Sequence, residues 1–64
     1  MLKQYDHIKL KNGKHAVIVE VWEPGVSYEA DIEVETGDYQ TETIKHTDIV
    51  SVFLEVETPL ESIA

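Results

Sequence analysis

Three turn signals divide the chain at equal intervals, and that spacing restricts its fold more than any other feature. Asn12-Gly13 predicts a two-residue type I′ hairpin turn, because both central residues of that turn need positive φ. Pro24-Gly25 predicts a type II turn, in which Pro presets φ at one position and Gly supplies the left-handed residue at the next. Thr36-Gly37-Asp38 is the third signal. The three glycines stand 12 residues apart, an interval suited to the short strands of a small β-sandwich or barrel.

Between the turns the period is two. Tyr28, Ala30, Ile32 and Val34 alternate with Glu29, Asp31, Glu33 and Glu35, which predicts a strand with one apolar and one acidic face. Val50, Val52, Leu54 and Val56 alternate with Ser51, Phe53, Glu55 and Glu57 in the same way. Ile8 and Leu10 mark a short first strand. His15–Glu23 is apolar on both faces at Ala16, Val17, Ile18 and Val19, which predicts a long central strand that is covered on both sides or bends between sheets. Residues 39–45 form a Thr-rich strand of weaker pattern. His46-Thr47-Asp48-Ile49 predicts a tight turn or a single 3₁₀ turn. Thr58-Pro59-Leu60-Glu61 has the form of a helix capping box with Pro at the first helical position.

Sixty-four residues make one domain. The expected fold class is all-β, a five-stranded antiparallel SH3-like barrel over residues 1–57, with residues 58–64 as a tail or single helical turn. Cysteine is absent, so disulfides, zinc knuckles and thiol nucleophiles are excluded. No stretch approaches the ~18 apolar residues of a membrane helix, and the N-terminus has no signal-peptide core. The expectation is a cytoplasmic protein with no membrane partner and no cofactor.

Tyr5-Asp6-His7-Ile8-Lys9-Leu10-Lys11-Asn12-Gly13-Lys14, followed by Ala16-Val17-Ile18-Val19-Glu20-Val21, resembles the opening hairpin of small stand-alone bacterial and phage SH3-like proteins. Thr43-Ile44 and Asp48-Ile49 are similar to the end of that pattern, so the resemblance covers roughly residues 5–50. It implies an SH3-like fold and a binding role, sometimes as the small partner or neutraliser of a larger protein. No catalytic residue carries over from it.

Charge is segregated. Five Lys and no Arg stand against 13 acids, for a net charge of −8. Residues 1–14 hold Lys3, Lys9, Lys11 and Lys14, whereas residues 15–44 hold eight acids and no Lys. Glu29, Asp31, Glu33 and Glu35 are expected on one sheet face, with Asp38 and Glu42 added by the next strand. Two registers are open there. A two-residue loop at Thr36-Gly37 sets Glu42 directly opposite Asp31, an unfavourable like-charge pair. A bulged three-residue loop turns Ile44 toward the core instead.

The acidic face has two readings: a solvated surface that keeps a small barrel soluble, or a docking face for a larger protein with a basic surface. A nucleic-acid-mimicking inhibitor of the anti-defence type is a narrower form of the second. Direct nucleic-acid binding is not expected, because Arg is absent and the net charge repels phosphate. Trp22 and Tyr39 offer another alternative, an SH3-like peptide-binding module; otherwise Trp22 is expected as a lid over the open end of the barrel. Pairing of two copies by strand edges is also open.

Chemistry at a metal or catalytic centre finds little support. Asp31, Glu33, Glu35 and Glu42 match positions 1, 3, 5 and 12 of a calcium loop, but Gly37 is one place late and flanking helices are missing. His7, His15 and His46 show no ligand spacing and read as scattered surface histidines. Ser27, Ser51 and Ser62 lack a nucleophile elbow, and no Gly-rich phosphate loop is present.

Overall fold

The computed structural model describes residues 2–53 and 57–59, the last three by their backbone. Among the described residues, six strands pair antiparallel in one sheet: β1 (His7–Leu10), β2 (His15–Glu23), β3 (Ser27–Glu35), β4 (Asp38–Lys45), β5 (Ile49–Phe53) and β6 (Glu57–Pro59). Their spatial order is β4-β3-β2-β1-β5-β6. The all-β expectation holds. No helix among the described residues is long and apolar enough to cross a membrane.

The sixth strand replaces the helical turn expected at Thr58-Pro59. Thr58 pairs with Val52, and Pro59 with Ser51. The edge of β5 supplies the backbone groups of these residues with ladder partners. Proline is tolerated because β6 is the outermost strand. The rest of that expectation, residues 60–64, lies outside the described residues, as do Leu54, Glu55 and Val56 of the predicted last strand.

One apolar cluster holds the sheet. It contains Leu2, Ile8, Leu10, Ala16, Ile18, Tyr28, Ala30, Ile32, Ile44, Ile49 and Val52. In a flat sheet β4 and β5 would stand four strand spacings apart, about 19 Å. Ile44 and Ile49 nevertheless share the cluster, and the single 3₁₀ turn His46–Asp48 spans the gap between their strands. The sheet is therefore strongly coiled around its core. The Asp48 carboxylate closes that turn by accepting the Lys45 N–H at 3.0 Å, and the Asp48 carbonyl accepts the Lys11 N–H at 2.9 Å.

Among the described residues, Tyr28 is the largest fully buried side chain. Its hydroxyl accepts the Gly25 N–H at 3.0 Å and meets His46 Nδ1 at 2.8 Å. This ties the β2–β3 turn to the 3₁₀ turn. His46 is thus half-buried and engaged, which corrects its reading as a scattered surface residue.

Pro24-Gly25 forms the expected turn, with Gly25 at φ +78° and the Val26 N–H donating to the Glu23 carbonyl at 2.9 Å. The first hairpin differs from the type I′ expectation. Gly13 has φ +85° but Asn12 does not have positive φ. The Gly13 N–H donates to the Leu10 carbonyl, and the Leu10 N–H to the Lys14 carbonyl, both at 2.9 Å. That is a three-residue loop in which the left-handed glycine follows an ordinary turn. The Asn12 side chain caps it by accepting the Lys14 N–H at 2.9 Å, so Asn serves through its amide oxygen rather than its backbone.

Among the described residues, bulges interrupt the alternation at four places. The β2–β3 register shifts between Ile18 and Glu20 and again between Val21 and Glu23. The β3–β4 register shifts between Glu33 and Glu35. On β5, Val50 is the extra residue, since Lys9 pairs with Ser51 and Leu10 with Ile49. Val50 was expected to face inward with Val52. The bulge turns it out, 42% exposed, and brings Ile49 into the core in its place. An extra residue reverses which face the following side chains occupy.

Candidate docking face

On β3 the alternation delivers Tyr28, Ala30 and Ile32 to the core and Glu29, Asp31 and Glu33 to the outer face. These three acids are half-buried between the flanking strands. Across β4 they meet Thr43, Thr41 and Tyr39 respectively. The Thr41 hydroxyl donates to Asp31 Oδ1, and the Thr43 hydroxyl lies 3.5 Å from Glu29 Oε1. The Thr-rich character of β4 is therefore the complement of the acids beside it. Each hydroxyl holds a carboxylate without neutralising it.

The bulge at Val34 decides the register left open by the sequence. The loop is two residues long, since Glu35 pairs with Asp38. The extra residue Val34 then sets Glu33 opposite Tyr39, Asp31 opposite Thr41 and Ala30 opposite Glu42. Ile44 reaches the core at 6% exposure, and the like-charge pair is avoided. Val34, expected in the core, is 37% exposed.

The six acids expected on one face consequently divide. Glu29, Asp31 and Glu33 share the outer face. Glu35 and Asp38 sit at the β3–β4 hairpin end, exposed. Glu42 lies on the core side of the sheet, where Leu10, Lys11, Lys14, Ile32 and Ile44 help line an open mouth. The outer face gains an acid in exchange, because Glu20 stands directly opposite Glu29. Strict alternation from Ala16 and Ile18 sends Glu20 inward. The extra residue at Val19 turns it out and Val21 in. The only local hint is the charge of Glu20 itself, which belongs in water.

Beside the acids the same face changes character. Asp31 pairs with Val17, Val17 with His7 and His7 with Phe53, so one row crosses β3, β2, β1 and β5. The His15 ring packs on Phe53 with centroids 5.1 Å apart at 51°. A depression of about 340 Å³ opens here, lined by His7, His15, Val17, Glu33, Tyr39 and Phe53 among others. An aromatic rim with a carboxylate at one side is suited to the aliphatic stem and charged head of a Lys or Arg side chain.

Trp22 and Tyr39 do not come together. Trp22 is the extra residue between the Val21–Tyr28 and Glu23–Ser27 pairs, whereas Tyr39 pairs with Glu33 near the far hairpin. They are separated by five or six residues of strand, roughly 17–20 Å, so no single groove contains both. The expected lid is also absent. Trp22 is 58% exposed and stands outside the core cluster, which Val21 supports instead. The sequence pointed to Trp22 because it closes the most apolar strand; the bulge at that position turns it away.

Among the described residues, no group of three or more His, Asp or Glu side chains is arranged to hold a metal ion. Compared with known protein families, curated proteins and solved structures, the chain matches none of them.

Proposed function

We propose that the chain is a small SH3-like barrel that acts as a non-enzymatic binding protein, docking its acidic outer face on a basic surface of a larger protein. The single observation that carries this reading is the placement of Glu20, Glu29, Asp31 and Glu33 side by side on β2 and β3, with Thr43, Thr41 and Tyr39 directly opposite the three β3 acids and Lys45 only at the end of β4, opposite Ser27. Such a face steers a basic partner and selects against acidic ones. The barrel reading is supported by the strand order, by the coiling of the sheet and by the short 3₁₀ connection between its two distant strands.

The depression beside Glu33 favours a partner that presents a Lys or Arg side chain between Tyr39, His15 and Phe53. A nucleic-acid mimic is less well served. Acids two residues apart on a strand are separated by ~6.7 Å, against one phosphate per ~3.4 Å along a nucleic-acid strand, and Glu35, Asp38 and Glu42 do not fill the gaps on this face.

Affinity capture from the native cell extract, with wild-type protein and a Glu29→Lys/Glu33→Lys variant, tests the reading. Wild type is expected to retain a partner at low salt and release it as the Debye length shortens, and the variant is expected to lose it while folding normally. Equal retention by both proteins at ~0.15 M salt would remove the acidic face from the account.

A further inference from the structure

We propose that the depression beside Glu33 is an arginine site: it takes the guanidinium of one Arg side chain of the partner, flat against aromatic rings and forked onto the Glu33 carboxylate. This narrows the docking reading to one anchor residue and rests on that reading for its partner.

Glu33 differs from the acids beside it. Asp31 accepts the Thr41 hydroxyl, and Glu29 has the Thr43 hydroxyl at 3.5 Å. Glu33 stands opposite Tyr39 instead, and among the described residues no hydrogen bond or ion pair reaches its carboxylate. It is nevertheless half-buried. Both oxygens are thus open to a donor from outside, and a partly desolvated carboxylate gains more from one than a fully solvated carboxylate does.

The walls of the depression are aromatic. Ala16 pairs with Ile32, so β2 sets His15 beside Glu33 on the outer face, and β4 sets Tyr39 on its other side. The His15 ring reaches across β1 to Phe53, with 5.1 Å between centroids and 51° between planes. The result is a shallow space of about 340 Å³ with ring surface around it and one carboxylate at its margin. That volume is near the lower end of the range for small-molecule pockets and suits one long side chain.

Charge and shape together select a guanidinium. Asp31, two residues along β3, adds a second negative charge about 6.7 Å away. Lys9 pairs with His15 from β1 and is not part of the lining; it lies two strand spacings from Glu33, about 10 Å. A guanidinium is flat and weakly hydrated, and it stacks on a ring while its edge meets both oxygens of a carboxylate. An ammonium is a compact, strongly hydrated charge, which so open a depression desolvates poorly. The chain contains no Arg, so the site is filled by another protein and not by a second copy.

NMR titration of the intact, isotope-labelled chain with Nα-acetyl-arginine methylamide, and with the lysine and citrulline analogues, tests the site. Citrulline keeps the shape of arginine without its charge. Expected is a saturable arginine response centred on Glu33, Tyr39, His15 and Phe53, roughly threefold or more tighter than that of lysine, and no response to citrulline. Glu33→Gln is expected to weaken arginine binding by roughly tenfold, whereas Glu23→Gln, at the other end of β2, leaves it unchanged. Equal binding of arginine and lysine overturns the proposal. So do shifts spread over all the acids, or a folded Glu33→Gln protein that binds arginine as wild type does. Should that variant fail to fold, the wild-type titrations still decide. Capture from the extract separates this proposal from the docking reading: a partner kept by Glu33→Gln but lost by Glu29→Lys/Glu33→Lys retains the acidic face and removes the arginine anchor.

Discussion

Asp31 accepts the hydroxyl of Thr41 across the β3–β4 pair, and Glu42, which an unbulged hairpin would set there, faces Ala30 on the core side. One extra residue at Val34 separates these two arrangements. It replaces a like-charge contact by a hydrogen bond and turns Ile44 into the core. One local irregularity thus gives Asp31 a hydroxyl partner and Ile44 its place in the core, while Glu35 remains opposite Asp38 at the hairpin end.

Thr41→Glu rebuilds the unfavourable pair with Asp31. It is expected to lower stability by about 0.2–1 kcal/mol relative to Thr41→Gln, with the difference shrinking as salt rises. Urea titrations of both variants at two ionic strengths measure it. Equal stability at low salt would mean that residue 41 does not face Asp31.

Deletion of Val34 is expected to be tolerated. The bulge heals, Glu35 still meets Asp38, and Glu33 still meets Tyr39, so Ile44 keeps its place. The expected loss is about 1 kcal/mol or less, within the ordinary range for a single change. Slow exchange of the β4 amides that face β3 would report the retained register; a deletion variant without a cooperative melt would show that the bulge has another role.

Tyr28→Phe keeps the ring and removes the hydroxyl that joins Gly25 to His46. The Gly25 N–H then lacks that acceptor, and a loss of about 1–2 kcal/mol is expected. A domain of this size has only roughly 0.05–0.15 kcal/mol of stability per residue, so the melting temperature should fall visibly. An unchanged melt would dissolve the link between the two turns.

Trp22→Ala is expected to change stability by no more than about 0.5 kcal/mol, as for other exposed positions. The wild-type tryptophan should fluoresce at a long wavelength in the native state and shift little on unfolding. A blue-shifted native emission together with a large loss of stability would restore Trp22 to the core.

Much of this arrangement was legible in the residues themselves. Pro24-Gly25 specified its turn through two intrinsic backbone preferences, one for fixed φ and one for positive φ. Tyr28, Ala30 and Ile32 announced the buried face of β3 because a strand exposes alternate residues to opposite sides whatever it pairs with. His46–Asp48 was recognisable as a short polar connection. Glu29, Asp31 and Glu33 followed from the same alternation as the core residues between them.

Only the tertiary structure decided where that alternation breaks. A bulge is a property of two strands together: Val19, Val34 and Val50 are ordinary strand residues until a neighbour's register makes one of them extra. The core chose Val21, Ile44 and Ile49 over residues equally apolar, since those fill the space beneath a coiled sheet. Glu20 was turned outward and Glu42 to the mouth as a consequence. Asn12 could satisfy either of two hairpins, and Thr58-Pro59 either a cap or a strand, until Lys14 and β5 supplied partners. Backbone preference and period act within a few residues, and so the sequence carries them; register and bulge placement are settled between strands, by which side chains pack into the shared core.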